Sequence, residues 1–200
     1  SQRSLTSENV KQMLALKADD DAHLQAAQAQ LKQWNHSSER ANRHTALAML
    51  ASTPVVRAMD AHLQVPDLRE SLLSAAKTLK QHFGRLDPTW AEVNRIIRGK
   101  ADLAIDGSYD TLRSVWGEEQ PDGRLKAVAG DTYILFVEWD EQGRLRSESI
   151  HQFGSATFDE KSPHYADQLP LFVEMKTKPV WFTQQQLAGN IAHEYSPNGK

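Results

Sequence analysis

The chain has 200 residues, 40% of them apolar and 24% charged, and a formal net charge of -3. That length and composition suit a soluble globular chain with a sizeable core. The acidic balance excludes a basic nucleic-acid-binding stripe: the nearest approach, Arg95, Arg98 and Lys100, sits among acids. With no cysteine, disulfides and thiolate metal sites are excluded, and no apolar run approaches the ~20 residues that span a bilayer. Ser1 to Lys11 has no apolar core of the signal-peptide kind, so an export signal is expected upstream if the protein is exported.

The first ~85 residues read as helix. Thr6 is placed to cap, with Leu5 and Val10 as a hydrophobic staple. Val10, Met13, Leu14, Leu24, Ala27, Leu31 and Trp34 then follow three-and-four spacing as far as a polar break at Asn35–Ser38. A second helix is expected from about Glu39 through Leu50, with Pro54 opening another turn that buries Val55, Val56, Met59 and Leu63. Asp67 with Glu70 forms a capping-box pattern for a helix carrying Leu68, Leu72, Leu73, Ala76 and Leu79, and Gly84 suits its left-handed stop.

Asp87-Pro88 suggests a short helix burying Trp90, Val93, Ile96 and Ile97 and ending at Gly99. Lys100–Ala129, punctuated by Gly107, Gly117, Pro121 and Gly123, reads as loop, with one helical turn at Thr111–Trp116. Tyr133–Trp139 is rich in aromatic and β-branched residues and reads as a strand buried on both faces. Asp140–Gly143 signals a hairpin, returned by Arg144–Phe153. A helix from Pro163 through Phe172, shortened by Pro170, a short extended piece at Lys178–Phe182 and a capped helix from Thr183 to about Ala192 complete the reading.

The expected class is α+β: a mostly helical segment over 1–127, then a β-hairpin with short helices over 128–200. A lone hairpin is marginal in water. The chain shows no further convincing strand, so the sheet is expected to be completed by something outside it, with self-association of the fragment as one consequence. The alternative is that Lys178–Phe182 and unrecognised short strands close a small local sheet.

Three segments carry a resemblance: Gly130-Asp-Thr-Tyr-Ile134, Ser149-Ile-His-Gln-Phe-Gly154, and Ser162-Pro-His-Tyr-Ala-Asp-Gln-Leu-Pro-Leu-Phe172. Phe83-Gly-Arg-Leu-Asp87, Trp90 and Arg98-Gly99 extend it upstream. Over roughly Phe83–Tyr195 the chain resembles the C-terminal part of the penicillin acylase family of N-terminal-nucleophile hydrolases, which includes acyl-homoserine-lactone acylases. The resemblance implies an αββα fold, maturation into two chains, and hydrolysis of the amide bond of N-acylated small molecules such as penicillins or acyl-homoserine lactones. It also implies a periplasmic or secreted location, with the rest of the acylase (the α chain and the N-terminal part of the β chain) as partner.

The nucleophile, its base and the oxyanion donors lie upstream of the resembling part, so no catalytic residue and no metal ligand carries over. Members of the family often hold a calcium ion, and the ligands the resemblance implies for it likewise lie upstream. The fragment is therefore expected to be structural and inactive. The alternative, from another class, is a stand-alone non-catalytic interaction module.

Individual candidates point the same way. Ser1 leads straight into a capped helix, so a cleavage boundary explains it better than an exposed nucleophile. His164 and Asp167, three apart on an expected helix, form either an acid–base or metal pair or a hydrogen-bond cluster pinning that helix to the sheet. One His–Asp pair supplies too few ligands for a metal, and no nucleophile stands nearby. The fingerprint Ser162, His164, Tyr165, Asp167 and Gln168 is therefore expected to be structural. His151 reads as a half-buried hydrogen-bonding residue, and Asp19-Asp20-Asp21 as a solvated face without the alternation of a calcium loop. His23, His36, His44, His62, His82 and His193 show no ligand spacing.

Overall fold

The computed structural model describes residues 4–196; Ser1 lies outside them. Four long helices come first: α1 (Leu5–Leu14), α2 (Ala22–Leu31), α3 (Thr45–Asp60) and α4 (Leu68–Phe83). The expected first helix is two, because Asp21 Oδ1 accepts the backbone N–H groups of His23 and Leu24 (3.0 Å each) and starts α2 afresh. The cap of α1 is Ser4, whose Oγ accepts from Ser7 N, and Thr6 is buried within the first turn. Conversely, the two segments expected around Pro54 are one helix. Pro54 sits inside α3, where burial of almost every residue from Thr45 to Val56 outweighs the missing N–H. Asp67 and Gly84 (φ +70°) delimit α4 as expected.

After α5 (Trp90–Val93), capped by Thr89 and not Asp87, the chain turns extended. The short helix does not continue to Gly99, and Lys100–Ala129 is not loop. Instead β1 (Asn94–Arg98), β2 (Ala101–Ala104), β3 (Val115–Glu119) and β4 (Leu125–Gly130) form a sheet in the order β2-β1-β4-β3. Gly99 (φ +58°) turns the β1–β2 hairpin, a job that favours glycine. β1 and β4 are parallel, pairing Asn94 with Leu125 and Arg95 with Lys126. The division expected at 127/128 falls inside β4, and the change from helix to strand comes at Asn94.

The expected hairpin forms from β5 (Tyr133–Trp139) and β6 (Leu145–His151), paired from Tyr133↔His151 to Trp139↔Leu145, with Gly143 (φ +76°) in its turn. A second sheet, β5-β6-β7, gains only the two-residue β7 (Lys178–Pro179). Between β6 and β7 comes α6 (Leu169–Val173), with Pro170 in its first turn. Last is α7 (Gln184–Leu187), capped by Thr183 and Gln186. The chain is therefore α+β. Strands that sequence reading missed supply a sheet of its own, although β5 belongs to the other one.

Two cores result. The larger lies among α1–α4 and is closed by Trp34, Trp90, Val93 and Leu125. The smaller lies between the two sheets and α6, around Ile96, Ile105, Val115, Ile150, Leu169 and Phe172. Trp90 hinges them: its indole N–H donates to Gly107 O (2.9 Å), while Asn94 Nδ2 donates to Ile105 O (2.9 Å). In contrast to its expected burial, β5 is exposed. β6 covers one edge, and α6 covers only part of one face, reaching Ile134 through Ile150.

Candidate functional site

The segments that carry the resemblance converge on one place. Arg98, last residue of β1, extends its guanidinium between two rings, 4.3 Å from the Phe153 centroid and 4.0 Å from that of Tyr165. Its Nε donates to Tyr165 O and its Nη2 to Thr157 O, both at 2.9 Å. The cation therefore ties the first sheet to the loop ahead of α6 through ring faces and carbonyls together. Next door, Gly99 leaves room for the Tyr165 ring, which a Cβ there would meet at 3.1 Å.

Gly154 makes the other close approach. A Cβ on it would lie 2.0 Å from His164 O and 2.5 Å from Asp167 Oδ1. Around it, Ala156 N donates to His164 O (3.1 Å) and Gln168 N to Phe153 O (2.7 Å), while Gln168 Oε1 accepts from His151 N (3.4 Å). The fingerprint acts on its neighbours largely through backbone groups and the Tyr165 ring.

His164 and Asp167 do meet, Nδ1 to Oδ2 at 2.8 Å. They stand on turns ahead of α6 and not on a helix, and the His164 side chain is 63% exposed. Ser162 Oγ accepts from His164 N (3.1 Å). The imidazole therefore pins nothing to the sheet, contrary to expectation, since water competes for its one hydrogen bond. His164→Ala is accordingly expected to cost less than about 1 kcal/mol in denaturant unfolding, the range of an exposed ion pair. A loss above about 2 kcal/mol would show that the ring supports the loop after all.

A second cluster gave no sequence signal, because its members stand at 40, 106, 113 and 174. Arg40 Nε lies 3.1 Å from Asp106 Oδ2, and its Nη1 lies 2.8 Å from Glu174 Oε1. Arg113 donates to the Phe172 and Val173 carbonyls at the end of α6. The hydrogen bond to Glu174 raises the Arg40 pKa, whereas burial pulls that of Arg113 below the usual arginine range. The cluster borders an open groove of about 670 Å³ lined also by Leu112 and Met175. Its charges satisfy one another, and it joins the helical lobe to α6.

Tyr109 is half-buried nearby. Its hydroxyl shares a 2.7 Å hydrogen bond with Thr6 Oγ1, and burial pushes its pKa up to about 12. Asp110 Oδ2 accepts from Ser4 Oγ (2.8 Å) and Thr6 N (2.9 Å), holding the start of α1.

The remaining candidates are dispersed. The His151 ring is exposed and rests 4.9 Å from that of Tyr133. His36 Nδ1 meets Ser7 Oγ at 2.9 Å in a shallow groove between α1 and α2, and His44 Nδ1 meets Gln30 Nε2 at 2.8 Å. Asp21 caps α2 and pairs with Arg69 (2.7 Å). Among the described residues no group of three or more His, Asp or Glu side chains is placed to hold a metal ion.

Comparison with known proteins gives these segments a context. The chain is 27% identical over 123 residues to the acyl-homoserine lactone acylase PvdQ of Pseudomonas fluorescens strain Pf-5, covering 60% of this chain and 16% of that protein. It is 30% identical over 88 residues to the acyl-homoserine lactone acylase PvdQ of Pseudomonas syringae pv. syringae, covering 44% of this chain and 11% of that protein. With the Pseudomonas savastanoi pv. phaseolicola protein of the same name, identity is 28% over 133 residues, 64% of this chain and 16% of the relative. The chain thus spans about one sixth or less of the length of these relatives. The family match is wider and takes in the helical lobe as well as the strands: over residues 1–189 the sequence fits penicillin amidase, and the chain belongs to that family.

Proposed function

We propose that these residues form a non-catalytic, structural C-terminal part of an amide hydrolase that cleaves N-acylated small molecules, penicillins or acyl-homoserine lactones. The observation that carries the reading is the family match over residues 1–189 in a chain equivalent to only 16% of a curated acylase. The geometry supports it. Arg98, Tyr165, Gly154 and Gln168 are engaged with one another, and the one His–Asp pair of the fingerprint faces solvent without a nucleophile. In this reading Ser162, His164, Tyr165, Asp167 and Gln168 shape the loop ahead of α6, His164 through its backbone carbonyl, Tyr165 through its ring and Gln168 through its backbone N–H. The N-terminal serine, its amine base and the oxyanion donors belong to the rest of the polypeptide, the α chain and the N-terminal part of the β chain, in an αββα enzyme of the periplasm or extracellular space.

The test is direct. Purified 1–200 is expected to release no acyl group from penicillin G or from an N-acyl-homoserine lactone, whereas the full-length, processed polypeptide hydrolyses at least one of them. Acyl release by 1–200 that disappears in a Ser1→Ala variant would overturn the structural reading and restore the terminal serine as a nucleophile.

A further inference from the structure

The helical lobe carries a groove of about 540 Å³ between the start of α2 and the second half of α4. Its floor is apolar. Ala76 is buried, and Leu73 and Leu86 are half-buried against the helical core. Lys77 and Lys80 stand on the α4 wall, one turn apart and both exposed. Lysine stems lie readily along such a floor while the ammonium stays at the rim.

The positive charge of this rim is not answered along the helix. Three and four residues from Lys77 stand Leu73, Ser74, Lys80 and Gln81, and from Lys80 stand Ala76, Lys77, Phe83 and Gly84, none of them an acid. The two ammoniums therefore repel one another across one turn. Asp21 is the one acid that borders the groove, and its carboxylate is already engaged. Arg69 meets it at 2.7 Å, and the backbone N–H groups of His23 and Leu24 donate to it at 3.0 Å each. An apolar floor beneath two uncompensated cations is complementary to an anion with an apolar tail.

The dimensions narrow the choice of anion. From Leu73 to Gln81 the helix rises about 12 Å. Spread over that length, the volume gives a cross-section of roughly 45 Å², too narrow for a helix about 10 Å across. We propose that the groove binds a single-chain aliphatic carboxylate of about eight to ten carbons, the length that about 12 Å of helix accommodates. The tail lies on Leu73, Ala76 and Leu86, and the carboxylate accepts charge-assisted hydrogen bonds from Lys77 and Lys80. The proposal uses only the helical lobe and does not depend on the hydrolase reading.

The experiment titrates sodium decanoate into the full-length, processed polypeptide and into 1–200, following the methyl resonances of Leu73 and Leu86. The response of the full-length polypeptide decides. Saturable shifts are expected there, with affinity rising about two- to fourfold for each methylene from hexanoate to decanoate. Decyltrimethylammonium, which has the same tail and the opposite charge, is expected not to bind. Lys77→Gln combined with Lys80→Gln, at exposed positions, is expected to leave the melting temperature unchanged and to weaken decanoate binding at least about tenfold. Methyl groups that do not respond to decanoate, equal affinity for the two amphiphiles, or undiminished affinity in the double variant would each overturn the proposal. A response confined to 1–200 would overturn it too, by showing that the rest of the polypeptide covers the groove.

Discussion

Trp90→Ala is expected to destabilise the chain by about 3–5 kcal/mol, the cost of deleting a fully buried large aromatic. Trp90 is 1% exposed and closes the helical core beside Val93 and Leu125. Its backbone N–H donates to Asn42 O (2.8 Å), and its indole N–H to Gly107 O (2.9 Å), so it holds the approach to α3 and the loop leaving β2 at once. Truncation leaves a cavity and strips the Gly107 carbonyl of one of its two donors; the other, Asn94 Nδ2, is at 3.3 Å. Trp90→Phe keeps most of the volume but loses the donor, and should cost about half as much. Urea unfolding of the three proteins checks this. A loss below about 1.5 kcal/mol for Trp90→Ala would show that the two lobes are not joined through this side chain.

Arg98→Ala is expected to cost about 2–3 kcal/mol, through two cation–ring contacts and two charge-assisted hydrogen bonds to carbonyls. Arg98→Lys should recover little of it, because an ammonium cannot lie flat between the Phe153 and Tyr165 rings while reaching two divergent carbonyls. The effect should be local as well as global. Amides around 154–168 should lose exchange protection ahead of those in α3, because the clamp ties that loop to β1. A lysine variant as stable as the native protein would show that charge alone suffices and that the stacked geometry adds nothing.

What could be read without coordinates had local causes. The cap at Asp67 and the left-handed stop at Gly84 depend on residues within one turn of the element they end, as does the Thr183–Gln186 box. The β5–β6 hairpin is equally local, with Asp140 and Gly143 shaping four residues between two strands. The fingerprint Ser162–Gln168 was legible as a motif. The first sheet was not legible. β1 carries Ile96 and Ile97 in helical phase with Trp90 and Val93, and its partner β4 lies some thirty residues on, paired in parallel. Segments such as Ala101–Ala104 and Leu125–Gly130 have little intrinsic strand preference; they are extended because β1 supplies a ladder for them.

The same division applies to the candidate site and to the unfinished edge. The sequence alone determined that Tyr133–Trp139 is a strand with apolar residues on both faces, because period-two patterning is a property of the strand itself. Only the tertiary structure decided which of those faces this chain covers: α6 reaches the Ile134 side, and nothing described reaches the other. Likewise, the sequence determined that Arg98, Phe153 and Tyr165 were present. Only the fold placed one guanidinium between two rings 55 and 67 positions away. The physical reason is common to both. Patterning and capping energies act within a turn or a strand, whereas burial and pairing depend on which distant segments arrive as neighbours, and one chain's local preferences do not specify that.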